Sequence, residues 1–206
     1  MKKEVILIGY SGHAYVACDI FISMGWKILG YCEKQEKKQN PYQLKYFGSE
    51  RDEKNISLLK KNFCFVAIGD SDARKKVFEF LTKNEITVAT AIHSSAVVSP
   101  KAQIGSGVMI APLVTINSNA VIHDGAICNS SSVIEHDCEV GRFAHIAPNA
   151  TLCGNVRLGE GTLIGANAVV KPSIAIGKNS IVGLGSVVLK NISDNKKVAG
   201  VPAREI

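Results

Sequence analysis

A chain of 206 residues with 46% hydrophobic and 20% charged residues is long enough for one large domain or two modest ones and too apolar for disorder. Aromatics make up only 6%, so the core is expected to be aliphatic. The formal charge of +6 comes with an early lysine excess at Lys34, Lys37, Lys38, Lys60, Lys61, Lys75 and Lys76; without a nucleic-acid motif or aromatics interleaved among the basic residues, this reads as a solvated surface mildly attractive to anionic metabolites.

From Met1 to Glu85 the pattern alternates strands and helices. Val5-Ile6-Leu7-Ile8 is a short apolar run stopped by Gly9, the pattern of a buried strand ending in a glycine turn. Residues 14–24 carry Val16, Ala17, Ile20, Phe21 and Met24 at helical spacing, closed by Gly25. Trp26 to Tyr31 is a second strand candidate, and Phe63 to Ile68, ended by Gly69, a third. Residues 71–83 follow with Val77, Phe78 and Leu81 on one helical face. This order predicts a small parallel α/β, Rossmann-like domain over residues 1–85.

From about residue 92 the pattern changes. Positions 98, 104, 110, 116 and onward in steps of six to 188 read Val, Ile, Ile, Ile, Ile, Cys, Ile, Val, Ile, Leu, Leu, Ile, Val, Ile, Val and Val, without a slip in register. A small or β-branched residue sits four positions after most of them, among them Ala102, Val108, Ala120, Ala144 and Ala168. A fixed period of six is the signature of a parallel β-helix. Each hexapeptide gives one short strand and one corner, and three hexapeptides close one coil, with coils stacked at roughly 4.8 Å. A helical alternative fails because the period is not 3.6 and Gly, Pro and Asn recur throughout. Residues 86–206 are therefore expected to form a β-helix domain with a C-terminal tail.

Cysteines stand at 18, 32, 64, 128, 138 and 153 with no CxxC pair, which argues against zinc or a redox site and for reduced, buried thiols in a cytoplasmic protein. The N-terminal segment is too polar for a signal peptide, and no apolar run is long enough to span a bilayer.

The hexapeptides resemble those of the hexapeptide-repeat acyltransferases. More narrowly, Gly9-Tyr-Ser-Gly-His-Ala14, Ala67-Ile-Gly-Asp70, Ile92-His-Ser-Ser-Ala96, Asn129-Ser-Ser-Ser-Val-Ile-Glu-His-Asp137 and Gly200-Val-Pro-Ala-Arg204 are similar to stretches of the sugar O- and N-acetyltransferases related to the sialic acid O-acetyltransferase and to the PglD-like UDP-4-amino-sugar N-acetyltransferase. The resemblance implies a left-handed β-helix, a homotrimer with active sites between subunits, acetyl-CoA as co-substrate and no metal. It also implies N-acetylation of a nucleotide-linked 4-amino-4,6-dideoxy sugar, a UDP-sugar by preference, for a polysaccharide or protein glycan; O-acetylation of sialic acid is the alternative.

Acetyl transfer from a thioester needs a base for the attacking group, donors for the oxyanion and a hold on CoA. His136 falls at a turn between faces and is the candidate base, with Asp137 or Glu135 to support the ring. The resemblance places His145 beside the acetyl group or the acceptor, and Asn129 at the acceptor. Gly154, one coil beyond His136, offers a bare backbone N–H to a carbonyl oxygen. The last coils and the tail resemble the CoA end of these enzymes, which implies charge-assisted contact of Arg204, with Lys190, to CoA phosphates. In the first domain, Ser11, Gly12 and His13 form a strand–helix turn suited to an anion; the resemblance implies that this domain binds the sugar nucleotide, with these three at phosphate or sugar and Glu33 at ribose or base. The Cys32-Glu33 pair departs from the paired acids of the family and leaves the nucleobase open. Two other classes stay open on the residues: a metal-dependent β-helix enzyme resembling the gamma carbonic anhydrases, with His93, His123, His136 and His145 as ligands, and a non-catalytic sugar-nucleotide-binding scaffold.

Overall fold

The computed structural model describes residues 3–206. These divide into two compact units, one ending at Ser94 and one running from Ser95 to Ile206. The division falls later than residue 85 because the backbones of Thr87 and Ala89 hydrogen-bond to Cys64, which carries Ile86, Ala89 and Ala91 into the first core.

The first unit comprises β1 (Glu4–Ile8), α1 (Gly12–Ser23), β2 (Lys27–Cys32), β3 (Lys45–Tyr46), α2 (Glu53–Lys60), β4 (Phe63–Val66), α3 (Ser71–Lys83) and β5 (Ala91–Ile92). The first four strands form a parallel sheet in the order β3-β2-β1-β4. Val5, Ile6, Leu7 and Ile8 are fully or almost fully buried, as expected for the middle of a parallel sheet, where both faces are covered and the strand reads as a continuous apolar run. Helix α1 starts at Gly12, ahead of its apolar periodicity, because Ser11 is extended and its carbonyl accepts the first helical bond, from Tyr15 N–H at 3.2 Å. Helix α2 and strand β3 escaped the sequence reading: α2 is a short helix with only Asn55 and Leu59 buried, and β3 spans Lys45–Tyr46 alone.

The second unit is a β-helix. Strands β6 to β21 are short strands that recur with the period of six, from Val97–Val98 to Val187–Val188, followed by β22 (Lys197–Ala199) and β23 (Arg204–Glu205). They stack into three parallel faces. The first face holds β6, β9, β12, β15, β18 and β21; the second β7, β10, β13, β16 and β19; the third β8, β11, β14, β17, β20 and β22. Paired residues stand one full coil apart, as in Val121↔Glu139 and Val133↔Thr151. Ile116, Ile134, Leu152 and Val170 are each at most 1% exposed, and burying an aliphatic side chain of this size stabilises by roughly 1.5–3 kcal/mol.

The corners explain the rest of the period. Every sixth residue from Gly107 to Gly185 has a positive φ, near +60° in most cases. Glycine or asparagine fills most of these positions because other side chains collide with the backbone there. Asp137, at φ 60°, is one of the exceptions. Where the inner small residue is polar, its hydroxyl is usually paired: Thr162 donates to the Gly177 carbonyl at 2.6 Å and Ser180 to that of Ser193 at 2.8 Å. Ser132 Oγ is buried without a hydrogen-bond partner among the described residues.

Candidate active site

His136 and Asp137 form the corner between β12 and β13. The corner turns their side chains away from the aliphatic core, and both are more than half exposed. His136 Nδ1 lies 2.9 Å from Asp137 Oδ2. An ionised carboxylate only accepts, so Nδ1 carries a proton, and in the neutral ring Nε2 is then the nitrogen with the lone pair. That hydrogen bond holds the Asp137 carboxyl below its ordinary range, and a second bond from Asn119 adds to the effect. Glu135 is not the partner of the ring in this arrangement. The corner is fixed through the neighbouring coils: Asp137 N–H donates to the Ser118 carbonyl at 3.1 Å, and Asn155 N–H to the His136 carbonyl at 2.9 Å.

Gly154 occupies the next corner in the same column. A β-carbon on it would come within 2.7 Å of His136 Cε1 and 2.8 Å of Nε2. The absent side chain therefore makes the room in which the ring sits. The column continues through Pro172 to Lys190, three coils beyond His136, roughly 14 Å at about 4.8 Å per coil. There it reaches a cleft of about 470 Å³ whose lining includes Lys190, Lys196, Pro202 and Arg204. The tail is folded: β23 pairs antiparallel with β22, Ala199 opposite Arg204, and Lys196 binds Glu205 at 2.6 Å.

Asn129 and His145 sit together on the third face. Asn129 Nδ2 lies 3.2 Å from His145 Nε2, and Ser130 N–H donates to Asn129 Oδ1 at 2.9 Å. With the amide donating, Nε2 is the acceptor and the ring proton is on Nδ1. This pair lies across the prism from the β12–β13 corner, so one chain does not bring His145 and Asn129 beside His136.

The first unit places Glu33 in one hollow and Ser11 with Gly12 in another. Glu33 lines a cleft of about 240 Å³ at the carboxyl ends of β1, β2 and β4, together with Gly9, Lys34, Glu50, Arg51 and Lys76. Its carboxylate accepts from Lys34 N–H at 3.0 Å and Tyr10 N–H at 3.4 Å, and pairs with Lys37 at 3.3 Å. Ser11 and Gly12 line a separate recess of about 380 Å³ with Tyr10, Tyr15, Lys37 and Lys38. His13 packs against Gly69, whose added β-carbon would lie 3.8 Å from the ring. Burial, and then the charge of Arg74, push the His13 pKa down to about 4, so this imidazole is neutral at neutral pH.

Arg74 was not singled out from the sequence. It is 1% exposed, and Nη1 donates to the carbonyls of Ile68 at 3.1 Å and Gly69 at 2.6 Å. It thereby shapes the loop that faces His13. Asn119 was also missed, although its place one coil before Asp137 was available.

The remaining histidines are dispersed. His123 pairs with Glu139 at 3.0 Å, and His93 belongs to the first unit. Among the described residues no group of three or more His, Cys, Asp or Glu side chains is arranged to hold a metal ion.

Comparison with known proteins gives the same two halves. The PglD N-terminal domain matches residues 4–81, and the bacterial transferase hexapeptide (six repeats) matches residues 155–190. The crystal structure of PerB from Caulobacter crescentus, in complex with CoA and GDP-perosamine, is 32% identical, covers 98% of this chain and 97% of its own, and superposes with a TM-score of 0.91. The acetyltransferase domain of PglB from Neisseria gonorrhoeae in complex with acetyl coenzyme A is 28% identical over the whole of both chains, with a TM-score of 0.91. GDP-perosamine N-acetyltransferase of Escherichia coli O157:H7 is 36% identical over 142 residues, 69% of this chain; the match spans only 56% of that protein's length. The chain therefore belongs to the hexapeptide-repeat, PglD-type family of nucleotide-sugar N-acetyltransferases, and joins an α/β domain to a β-helix of the left-handed hexapeptide type.

Proposed function

We propose that this chain transfers the acetyl group of acetyl-CoA to the amino group of a nucleotide-linked 4-amino-4,6-dideoxy sugar, with His136 as general base. One observation carries the reading: an exposed imidazole, held through Nδ1 by Asp137, stands on a corner column that leads to a cationic cleft. In the reaction the sugar amine attacks the thioester carbonyl directly. His136 Nε2 takes the proton from the attacking nitrogen, and Asp137 stabilises the imidazolium so formed. The tetrahedral intermediate collapses by breaking the carbon–sulfur bond, and the proton goes on to the departing CoA thiolate. The N–H of Gly154 is placed to meet the developing oxyanion. Lys190 and Arg204 hold CoA phosphates at the far end of the column. His145 and Asn129 position the acetyl group and the acceptor.

The first unit binds the nucleotide-sugar, with Ser11, Gly12 and His13 at the phosphates or the sugar and Glu33 at the ribose or base. A uridine nucleotide was the expectation from the resemblance. The relatives bound to or named for GDP-perosamine move the preference to guanosine.

Three copies form the working enzyme. The first face of the β-helix turns Val97, Thr115, Val133, Thr151, Val169 and Val187 outward, an uncharged column whose Val97 is 66% exposed. The second face turns Gln103, Glu139 and Arg157 outward. Burial of the uncharged face against another copy also accounts for the separation of His136 from Asn129 and His145: a neighbouring chain supplies the missing pair. The six unpaired thiols fit a reducing compartment, and the cytoplasm is the proposed location.

An acceptor panel with acetyl-CoA and detection of the released thiol tests the reading. Turnover with GDP- or UDP-linked 4-amino sugars, and none with sialic acid, is the expected result. Turnover with sialic acid alone would overturn it.

A further inference from the structure

The base and its carboxylate do not stand alone on the corner column. Asn119 occupies the corner one coil before Asp137, in the same left-handed conformation (φ 61° and 60°). The stacking of coils sets the two side chains one above the other, and Asn119 Nδ2 donates to Asp137 Oδ1 at 3.1 Å. Asp137 Oδ2 is left for His136 Nδ1 at 2.9 Å. The carboxylate is thus held by a different donor on each oxygen, one from the preceding coil and one from the base. A carboxylate held only by the imidazole would be free to rotate, and the ring would rotate with it.

We propose that Asn119 is a positioning residue for acetyl transfer: its amide fixes the Asp137 carboxylate, which in turn orients the His136 ring and aims Nε2 at the acceptor amine. The inference rests on the reading of His136 as general base. Asparagine meets both demands of the position, since it tolerates the left-handed corner and supplies an N–H donor. Aspartate would tolerate the corner but would set a second negative charge against Asp137. The corners on either side of the dyad, Ser118-Asn119 and Gly154-Asn155, are uncharged. The charged groups nearest in the chain are Glu135, beside the ring, and Glu139, which is paired with His123.

Two variants test this without straining the backbone. Asn119→Gly suits the left-handed corner and removes the amide. It is expected to lower kcat about tenfold, the scale of a modest loss of alignment, with the KM of each substrate within about twofold. Asn119→Asp keeps the shape and reverses the electrostatics. It is expected to lower kcat and to raise the acid limb of the kcat/KM–pH profile by about 0.5 to 1 pH unit, because a second carboxylate favours the protonated base. A purely structural asparagine would change only the melting temperature. Wild-type kcat and an unmoved acid limb in both variants, with His136→Asn inactive, would overturn the positioning role and leave the base assignment standing. Wild-type turnover in His136→Asn would remove both.

Discussion

The ring of His136 fills the space where a side chain on Gly154 would begin: a β-carbon there would fall 2.7 Å from Cε1 and 2.8 Å from Nε2. Base and glycine stand one coil apart, one above the other. The coil repeat, not a loop, therefore sets the position of the proposed catalyst.

Gly154→Ala is expected to displace the imidazole and lower kcat at least about tenfold. The backbone itself accepts alanine, because Gly154 is not among the left-handed corners. The melting temperature should stay within a few degrees of wild type. Steady-state kinetics beside a thermal melt separate the two effects. Full activity in this variant would mean that the ring position is not set by the glycine.

Subunit complementation tests the shared site. His136 stands at the β12–β13 corner, and Asn129 and His145 lie on the opposite face. His136→Ala and Asn129→Ala should each be inactive. Co-refolded in equal amounts, they should regain up to about a quarter of wild-type activity, since each mixed trimer contains one intact site. The particle should have three times the 22.1 kDa chain mass. No recovery from well-mixed trimers would place the whole site in a single chain.

His13 should remain neutral down to about pH 4. Its folded pKa lies below the unfolded value near 6.5, so as pH falls the unfolded chain takes up the proton first. Its contribution to stability is fully present above about pH 6.5 and is lost between there and about pH 4. His13→Gln should therefore show a flatter dependence of melting temperature on pH in that window. A His13 resonance titrating near 6.5 would contradict the buried environment that Arg74 and Gly69 make around it.

The β-helix was legible because each inward position demands an aliphatic side chain and each left-handed corner favours glycine or asparagine, so packing and backbone strain write one period twice. The α/β unit was legible where strands were fully buried, as at Val5 to Ile8. It was not at α2, whose buried positions are too few to show a helical period. Stacking arithmetic also put Gly154 beside His136. Applied one coil earlier it would have paired Asn119 with Asp137, but a hydrogen bond between exposed corner residues leaves no mark on hydrophobic spacing. Arg74 carried no signal because a buried guanidinium is satisfied by the carbonyls of Ile68 and Gly69, and main-chain partners are invisible in a sequence. The opposition of His136 to Asn129 across the prism follows from three-face geometry that the motif, read linearly, conceals.

The central claim is that His136 removes the proton from the attacking amine. The most direct measurement is the turnover of His136→Ala with acetyl-CoA and the preferred nucleotide-linked amino sugar, with CoA affinity followed by calorimetry. A fall in kcat of roughly 10² to 10⁴ with CoA affinity retained is the predicted result. Wild-type turnover in that variant would contradict the claim.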